Sequence, residues 1–233
     1  MRLGLVVVSL ACSLAACSSD VTGTGGGAQA PNGSREPNGS ATGEQGETQG
    51  ESHDDLVVFT TKAALTGDLG GIEGADARCN TYAKAAGLTG TFRAWLSDSQ
   101  TDAITRVPEG GPWRILDKNG KQSEIAFENK ASWEGYPKVA IANTEFGKTL
   151  SELSTSTSTS IPYTWTGTAL GGRGKGCHCN DWTSAANPSR DCPDGEYGGV
   201  IGSRYASQAD ETWTQFGSNP CDAPSALLCF ELP

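Results

Sequence analysis

A short segment between two glycine-rich turns constrains the fold of this chain more than any other feature. After the turn at Gly70–Gly74, apolar and mostly small residues recur at helical spacing: Ala75, Cys79, Tyr82, Ala83 and Ala86. This pattern predicts a helix over residues 73–86 that packs closely against a sheet. Gly87 is placed to end the helix in a left-handed conformation, and Thr91–Leu96 then alternates as a strand does. A cysteine therefore lies on the buried face of a helix–turn–strand unit.

The N-terminus has the pattern of an exported lipoprotein. Arg2 precedes an apolar run that is too short to span a bilayer, and the run ends in Leu14-Ala-Ala-Cys17. This ending resembles the lipobox of bacterial lipoproteins. The resemblance implies a signal peptide over residues 1–16. It also implies that Cys17 carries diacylglycerol and a further acyl chain such as palmitate, and these lipid groups together anchor a protein stably to a membrane. Ser18, rather than an aspartate, favours the outer membrane or cell surface, while an ordinary secretory signal is the alternative.

The next residues differ sharply in composition from the rest of the chain. Residues 17–55 are rich in Gly, Ser and Glu and contain no aromatic side chain, which predicts a lipidated, disordered tether. Residues 56–233 are long enough for one domain with its own core. Of the net charge of −10, −6 lies on residues 18–55, and the domain carries 20 acidic and 15 basic residues. Without a basic block in the sequence, nucleic acid is an improbable partner.

Six cysteines lie in the domain: Cys79, Cys177, Cys179, Cys192, Cys221 and Cys229. An even number in an exported chain predicts disulfides, for which about 15 pairings are possible. A zinc site made of Cys177, His178, Cys179 and Cys192 is the competing interpretation. It is disfavoured because three successive residues make awkward ligands, so no metal site is predicted.

Three segments together resemble a known family. Gly70–Ser97, Cys179–Thr183 and Ala223–Glu231 are similar to segments of endostatin, which has a C-type-lectin-like fold, and to a domain of unknown function in bacterial surface lipoproteins. The resemblance implies an α+β fold with a mixed, mostly antiparallel sheet and one or two short helices. It also implies that nested bridges Cys79–Cys229 and Cys179–Cys221 staple this fold, which leaves Cys177–Cys192 as a third. Leu227–Phe230 is predicted to be a buried closing strand.

The sequence offers little for catalysis. Its two histidines are His53, in the tether, and His178, between two cysteines, so a Ser–His–Asp arrangement is improbable and no enzyme activity is predicted. A ligand-binding domain is expected instead, with a glycan, a matrix component or an envelope protein as partner. An exported enzyme of the same fold that uses cysteine or metal chemistry, or a passive structural envelope protein, are the alternatives.

The resemblance places recognition in the long loops between Thr168 and Pro220. Candidate contacts there are Asn180, Asp181, Asp194 and Glu196. The loop Asp191–Glu196 also has carboxylates that suit calcium, although a simple charged turn is the favoured interpretation and no other cofactor is expected. The six tryptophans are predicted to lie mainly in the core, with one of them available to line a sugar site.

Overall fold

A computed structural model describes residues 55–149, 152, 162–186, 192, 198–206 and 210–233. Its contacts divide the chain into two units, residues 1–48 and 49–233, and every described residue belongs to the second. The predicted signal peptide, Cys17 and nearly all of the predicted tether therefore lie outside the described residues. Within the described part of the chain, no helix has both the length and the apolar character needed to cross a membrane.

The described residues form a mixed α+β domain built on one eight-stranded sheet. Its strands are β1 Leu56–Thr60, β2 Phe92–Ala94, β3 Trp113–Leu116, β4 Gln122–Phe127, β5 Tyr163–Trp165, β6 Gly199–Ser203, β7 Gly217–Asn219 and β8 Ala226–Glu231. The order is β4-β3-β1-β8-β5-β6-β7, and β2 also pairs with β8. The pairs β1–β3 and β5–β8 are parallel and the others are antiparallel. The predicted mostly antiparallel sheet is confirmed.

Strand β8 is the centre of the sheet, since it pairs with β1, β2 and β5. Five of its six residues are buried, as the apolar run predicted. Alternate side chains enter different clusters: Leu227 packs in one with Phe59, and Leu228 packs in another with Val58. Because successive strand residues point to opposite faces, the sheet has a hydrophobic core on each side.

Helix α1, Gly71–Ala85, covers one of these faces and buries Ala75, Cys79 and Ala83. It begins two residues before the predicted start, and Gly87 follows it with φ 79°, the left-handed conformation expected there. Among the described residues, the other helical segments are short: α2 at Ala103–Arg106, 3₁₀ turns at Lys130–Glu134 and Glu211–Trp213, and a four-residue segment at Cys179–Trp182.

A partly buried ion pair ties α1 to α2. The carboxylate of Asp76 accepts a hydrogen bond of 2.6 Å from Arg106 and one of 2.9 Å from the backbone N–H of Ala94. Arg106 also donates to the carbonyls of Ala94 and Leu96. The network therefore joins α1 and α2 to strand β2 and to the residues that follow it, although Asp76 and Arg106 are 30 residues apart in the sequence.

All six tryptophans are buried, at Trp95, Trp113, Trp133, Trp165, Trp182 and Trp213, and none is more than 2% exposed. The expectation that one of them is available to line a sugar site is therefore wrong. The reason is the second core cluster, where Trp95, Trp113 and Trp133 pack edge to face or tilted with ring centroids 4.5–5.1 Å apart. These rings are used for packing within the protein.

Candidate ligand-binding site

Four successive residues, Cys179–Trp182, form one turn of left-handed helix, which we call the left-handed turn. None of them is glycine, yet their φ angles run from 49° to 62°. This conformation brings Cβ against the following carbonyl and costs roughly 1–2 kcal/mol per residue. Such backbone persists only where the surrounding structure holds it, and it concentrates at functional sites.

Two disulfides hold the beginning of the left-handed turn. Cys179 is bonded to Cys221 and Cys177 to Cys192, with Cα–Cα distances of 5.6 and 5.0 Å. The third bridge joins Cys79 on α1 to Cys229 on β8, 5.7 Å apart. They are the two pairs that the family resemblance implies and the third pair that it leaves. Two of them converge on the segment before and within the turn.

Buried contacts hold the other end of the left-handed turn. Trp182 is fully buried, and its indole N–H donates to the carbonyl of Ser97 at 2.7 Å. Its own carbonyl accepts the backbone N–H of Leu69 at 2.9 Å. A side chain at Gly67 would place its Cβ 2.5 Å from Sγ of Cys179, so the neighbouring backbone also fits closely against the turn. With both ends fixed, the middle residues Asn180 and Asp181 are presented outward.

Asp181 is linked to a serine and a histidine. One carboxylate oxygen accepts the Ser99 backbone N–H at 2.9 Å, and the other accepts the Ser99 hydroxyl at 2.8 Å. Nδ1 of His178 lies 3.0 Å from the first oxygen and 3.2 Å from the Asp181 backbone nitrogen. A neutral imidazole accepts from that nitrogen, whereas a protonated one donates to the carboxylate.

These contacts set the ionisation of Asp181. Partial burial acts to raise the pKa of Asp181, but the two hydrogen bonds from Ser99, with the neighbouring His178, outweigh it and hold the pKa below its usual value. The Asp181 carboxylate lies between the Ser99 hydroxyl and the His178 imidazole. In a hydrolytic triad the imidazole contacts the hydroxyl instead, so this order is unsuited to activating Ser99.

A cleft of about 170 Å³ opens beside the left-handed turn, and we call it the turn cleft. It is lined by residues 176–181 together with Cys192 and Gly198. Asn180 is exposed at its edge, and its amide donates to the Thr183 hydroxyl at 2.8 Å. The cleft thus offers an amide, a carboxylate and an imidazole on a stapled backbone, which suits hydrogen bonding to a polar ligand.

The structure brings two of the four predicted contacts together, Asn180 and Asp181. Asp194 and Glu196 lie outside the described residues, as does nearly all of the suggested calcium loop. Sequence reasoning missed Ser99 and the part played by His178. Ser99 is 82 residues from Asp181 and carries no local signal, whereas the sequence presents His178 only as a zinc ligand or a triad histidine, and both interpretations are disfavoured there.

Metal binding has no visible basis in the described part of the chain. There, no group of three or more His, Cys, Asp or Glu side chains is placed to hold an ion. Of the zinc set considered from the sequence, the cysteines Cys177, Cys179 and Cys192 are all in disulfides. A disulfide sulfur lacks the thiolate charge that binds zinc, so the set does not form a zinc site here.

The chain matches a known family model. Residues 62–200 match the model of the family described as "Protein of unknown function (DUF1554)". This span covers more than half of the 233 residues and includes α1 and the left-handed turn. A search of curated proteins found no match.

Proposed function

We propose that this chain, which belongs to the DUF1554 family of proteins of unknown function, is a lipid-anchored envelope protein with a non-catalytic ligand-binding domain. The observation that carries the proposal is the left-handed turn Cys179–Trp182. Four non-glycine residues are held there in a costly conformation by two disulfides and a buried tryptophan. A fold retains such strain where the geometry of particular side chains matters.

The chemistry of the turn cleft favours binding over catalysis. Its polar groups are fixed before a ligand arrives, so little side-chain entropy is lost on binding. All six cysteines of residues 56–233 are paired, which argues against the alternative of an exported enzyme with a reactive thiol. The ligand we propose is a glycan, or a polar segment of a matrix or envelope protein, read by hydrogen bonds to Asn180 and Asp181.

The finer fold assignment belongs to the same proposal. We propose that the domain is C-type-lectin-like and similar to endostatin. The support is the nested pattern of two bridges, with the outer bridge running from the first helix to the central closing strand. Adjacent first and last strands, β1 and β8, are consistent with this arrangement.

Substituting Asn180 with alanine tests the binding site. An array of glycans and of matrix and envelope proteins first selects a ligand for the full chain. Asn180→Ala should then weaken that ligand's affinity by about fivefold, because one hydrogen bond contributes about 1 kcal/mol. Asn129→Ala, at another exposed asparagine that lines neither cleft of the domain, is the matched control and should bind normally. Equal affinities for Asn180→Ala and the unchanged chain would remove the turn cleft from the proposal.

Substituting Cys17 with serine tests the membrane anchor. The Leu14-Ala-Ala-Cys17 motif supports lipidation there, with localisation at the outer membrane or cell surface. Cys17→Ser should stall processing or release the protein from membranes, because the acyl chains supply the membrane affinity. Fractionation with metabolic palmitate labelling measures both effects. A variant that is processed normally and stays in the membrane fraction contradicts the anchor.

A further inference from the structure

A second cleft, which we call the lysine cleft, lies elsewhere on the domain and shares no lining residue with the turn cleft. It has a volume of about 410 Å³. Its lining includes Lys62, Lys118, Asn119, Glu145, Phe146 and Lys148. The size is sufficient for a small organic ligand.

The three lysines come from segments far apart in the sequence. Lys62 follows β1, Lys118 is in the turn between β3 and β4, and Lys148 is in a later turn. All three are exposed, and within the described residues none has a carboxylate at ion-pair distance. Three positive charges therefore lie around one cleft of a domain whose overall charge is negative.

Backbone contacts fix the three segments to one another. The Glu145 carboxylate accepts the backbone N–H of Lys62 at 2.8 Å. Gly147 has φ 71°, and a Cβ there would lie 1.6 Å from the carbonyl oxygen of Asp117, so only glycine permits this approach. The turn that carries Lys148 is thereby packed against the turn that carries Lys118. The lysine backbones are pre-positioned, and their long side chains need only order at the ligand.

Two carboxylates near the lysines could offset their positive charge. Glu145 lines the cleft but is only 3% exposed, and its burial, which outweighs the Lys62 hydrogen bond, raises its pKa. Glu152 is exposed nearby. Hydrogen bonds from Thr149 lower its pKa, and the positive fields of Lys118 and Lys148 act in the same direction. The exposed charged side chains that line the cleft are therefore all lysines, and the neighbouring Glu152 carboxylate already senses the field of two of them.

We propose that the lysine cleft binds a phosphorylated saccharide. Ammonium groups act as point charges for phosphate. Three of them around one cleft suit a ligand that carries more than one phosphate group. Phe146 leaves 39% of its surface exposed beside them and offers an apolar face to a sugar ring. An anionic bilayer is a poorer fit because the domain as a whole is acidic and is repelled by a negative surface.

Calorimetric titration of the full chain with glucose 1,6-bisphosphate tests this site. We expect saturable binding that weakens as salt is added, with no binding of glucose. Lys118→Ala/Lys148→Ala should reduce the affinity about tenfold, since two exposed charge contacts are lost. Lys130→Ala/Lys138→Ala removes the same charge elsewhere, from pairs with Glu109 and Glu128, and should bind normally.

Several results would overturn the proposal. One is the absence of saturable binding, and another is equal weakening in the two double variants, which would mean a general charge effect. Inorganic phosphate that binds as tightly as the bisphosphate would show an anion site without saccharide recognition. A fourth is lysine-dependent sedimentation with phosphatidylcholine vesicles containing phosphatidylglycerol, without sugar binding, which would assign the surface to lipid. None of these results depends on the turn cleft.

Discussion

Arg106→Ala should destabilise the domain by roughly 3–5 kcal/mol, because it leaves the carboxylate of Asp76 without its buried partner. The Arg106 side chain is 7% exposed and that of Asp76 21%, and their closest atoms are 2.6 Å apart. The substitution also removes donors to the carbonyls of Ala94 and Leu96. Urea unfolding followed by tryptophan fluorescence measures the change.

Arg93→Ala is the matched control for this experiment. Arg93 lies 4.0 Å from the same carboxylate, but its side chain is 42% exposed. An exposed pair contributes at most about 1 kcal/mol, so the control should be much more stable than Arg106→Ala. Equal losses in the two variants would show that burial of the pair has no part in the stability.

Removing the outer bridge with Cys79→Ala/Cys229→Ala should cost on the order of 2–5 kcal/mol. The bridge joins residues 150 positions apart, whereas Cys177–Cys192 joins residues 15 apart. Closing a longer loop removes more entropy from the unfolded chain. The entropy model therefore predicts that the outer pair contributes about 2 kcal/mol more than Cys177–Cys192.

The matched comparison is Cys177→Ala/Cys192→Ala, unfolded under the same conditions. A larger loss for this pair than for Cys79→Ala/Cys229→Ala would contradict the loop-length argument. Peptide mapping without reduction checks the premise. Detection of Cys79 as a free thiol would remove both the prediction and the proposed fold assignment.

Local sequence patterns were sufficient to predict the main helix, the central strand and one hairpin of the domain. The small apolar residues around Cys79 specify α1, and the run Leu227–Phe230 specifies the central strand, because both signals lie within a few consecutive residues. The segment Trp113–Gly120 contains an Asn-Gly turn, which is a short-range hairpin signal, and β3 and β4 pair around it. The cysteine pairs followed from a family resemblance rather than from local pattern.

The candidate site depends on contacts that local patterns do not contain. Asn180 and Asp181 tolerate left-handed backbone better than most residues, but Cys179 and Trp182 do not favour it. Their conformation follows from the Cys221 bridge and from burial of the indole. Asp76 shows the same limit: near the start of a helix it suggests a role with the helix dipole. Its main partner is Arg106, 30 residues away.

The most direct test of the central claim is amide NMR of the isotopically labelled chain, titrated with the ligand that the array selects. If the turn cleft is the binding surface, the shifts should concentrate at residues 176–181, at Ser99 and at Gly198. The contact with His178 should slow the hydrogen exchange of the Asp181 amide, and we expect that exchange rate to change when the ligand binds. Shifts confined to residues 100–160 or to the predicted tether, with the turn unaffected, would contradict the account.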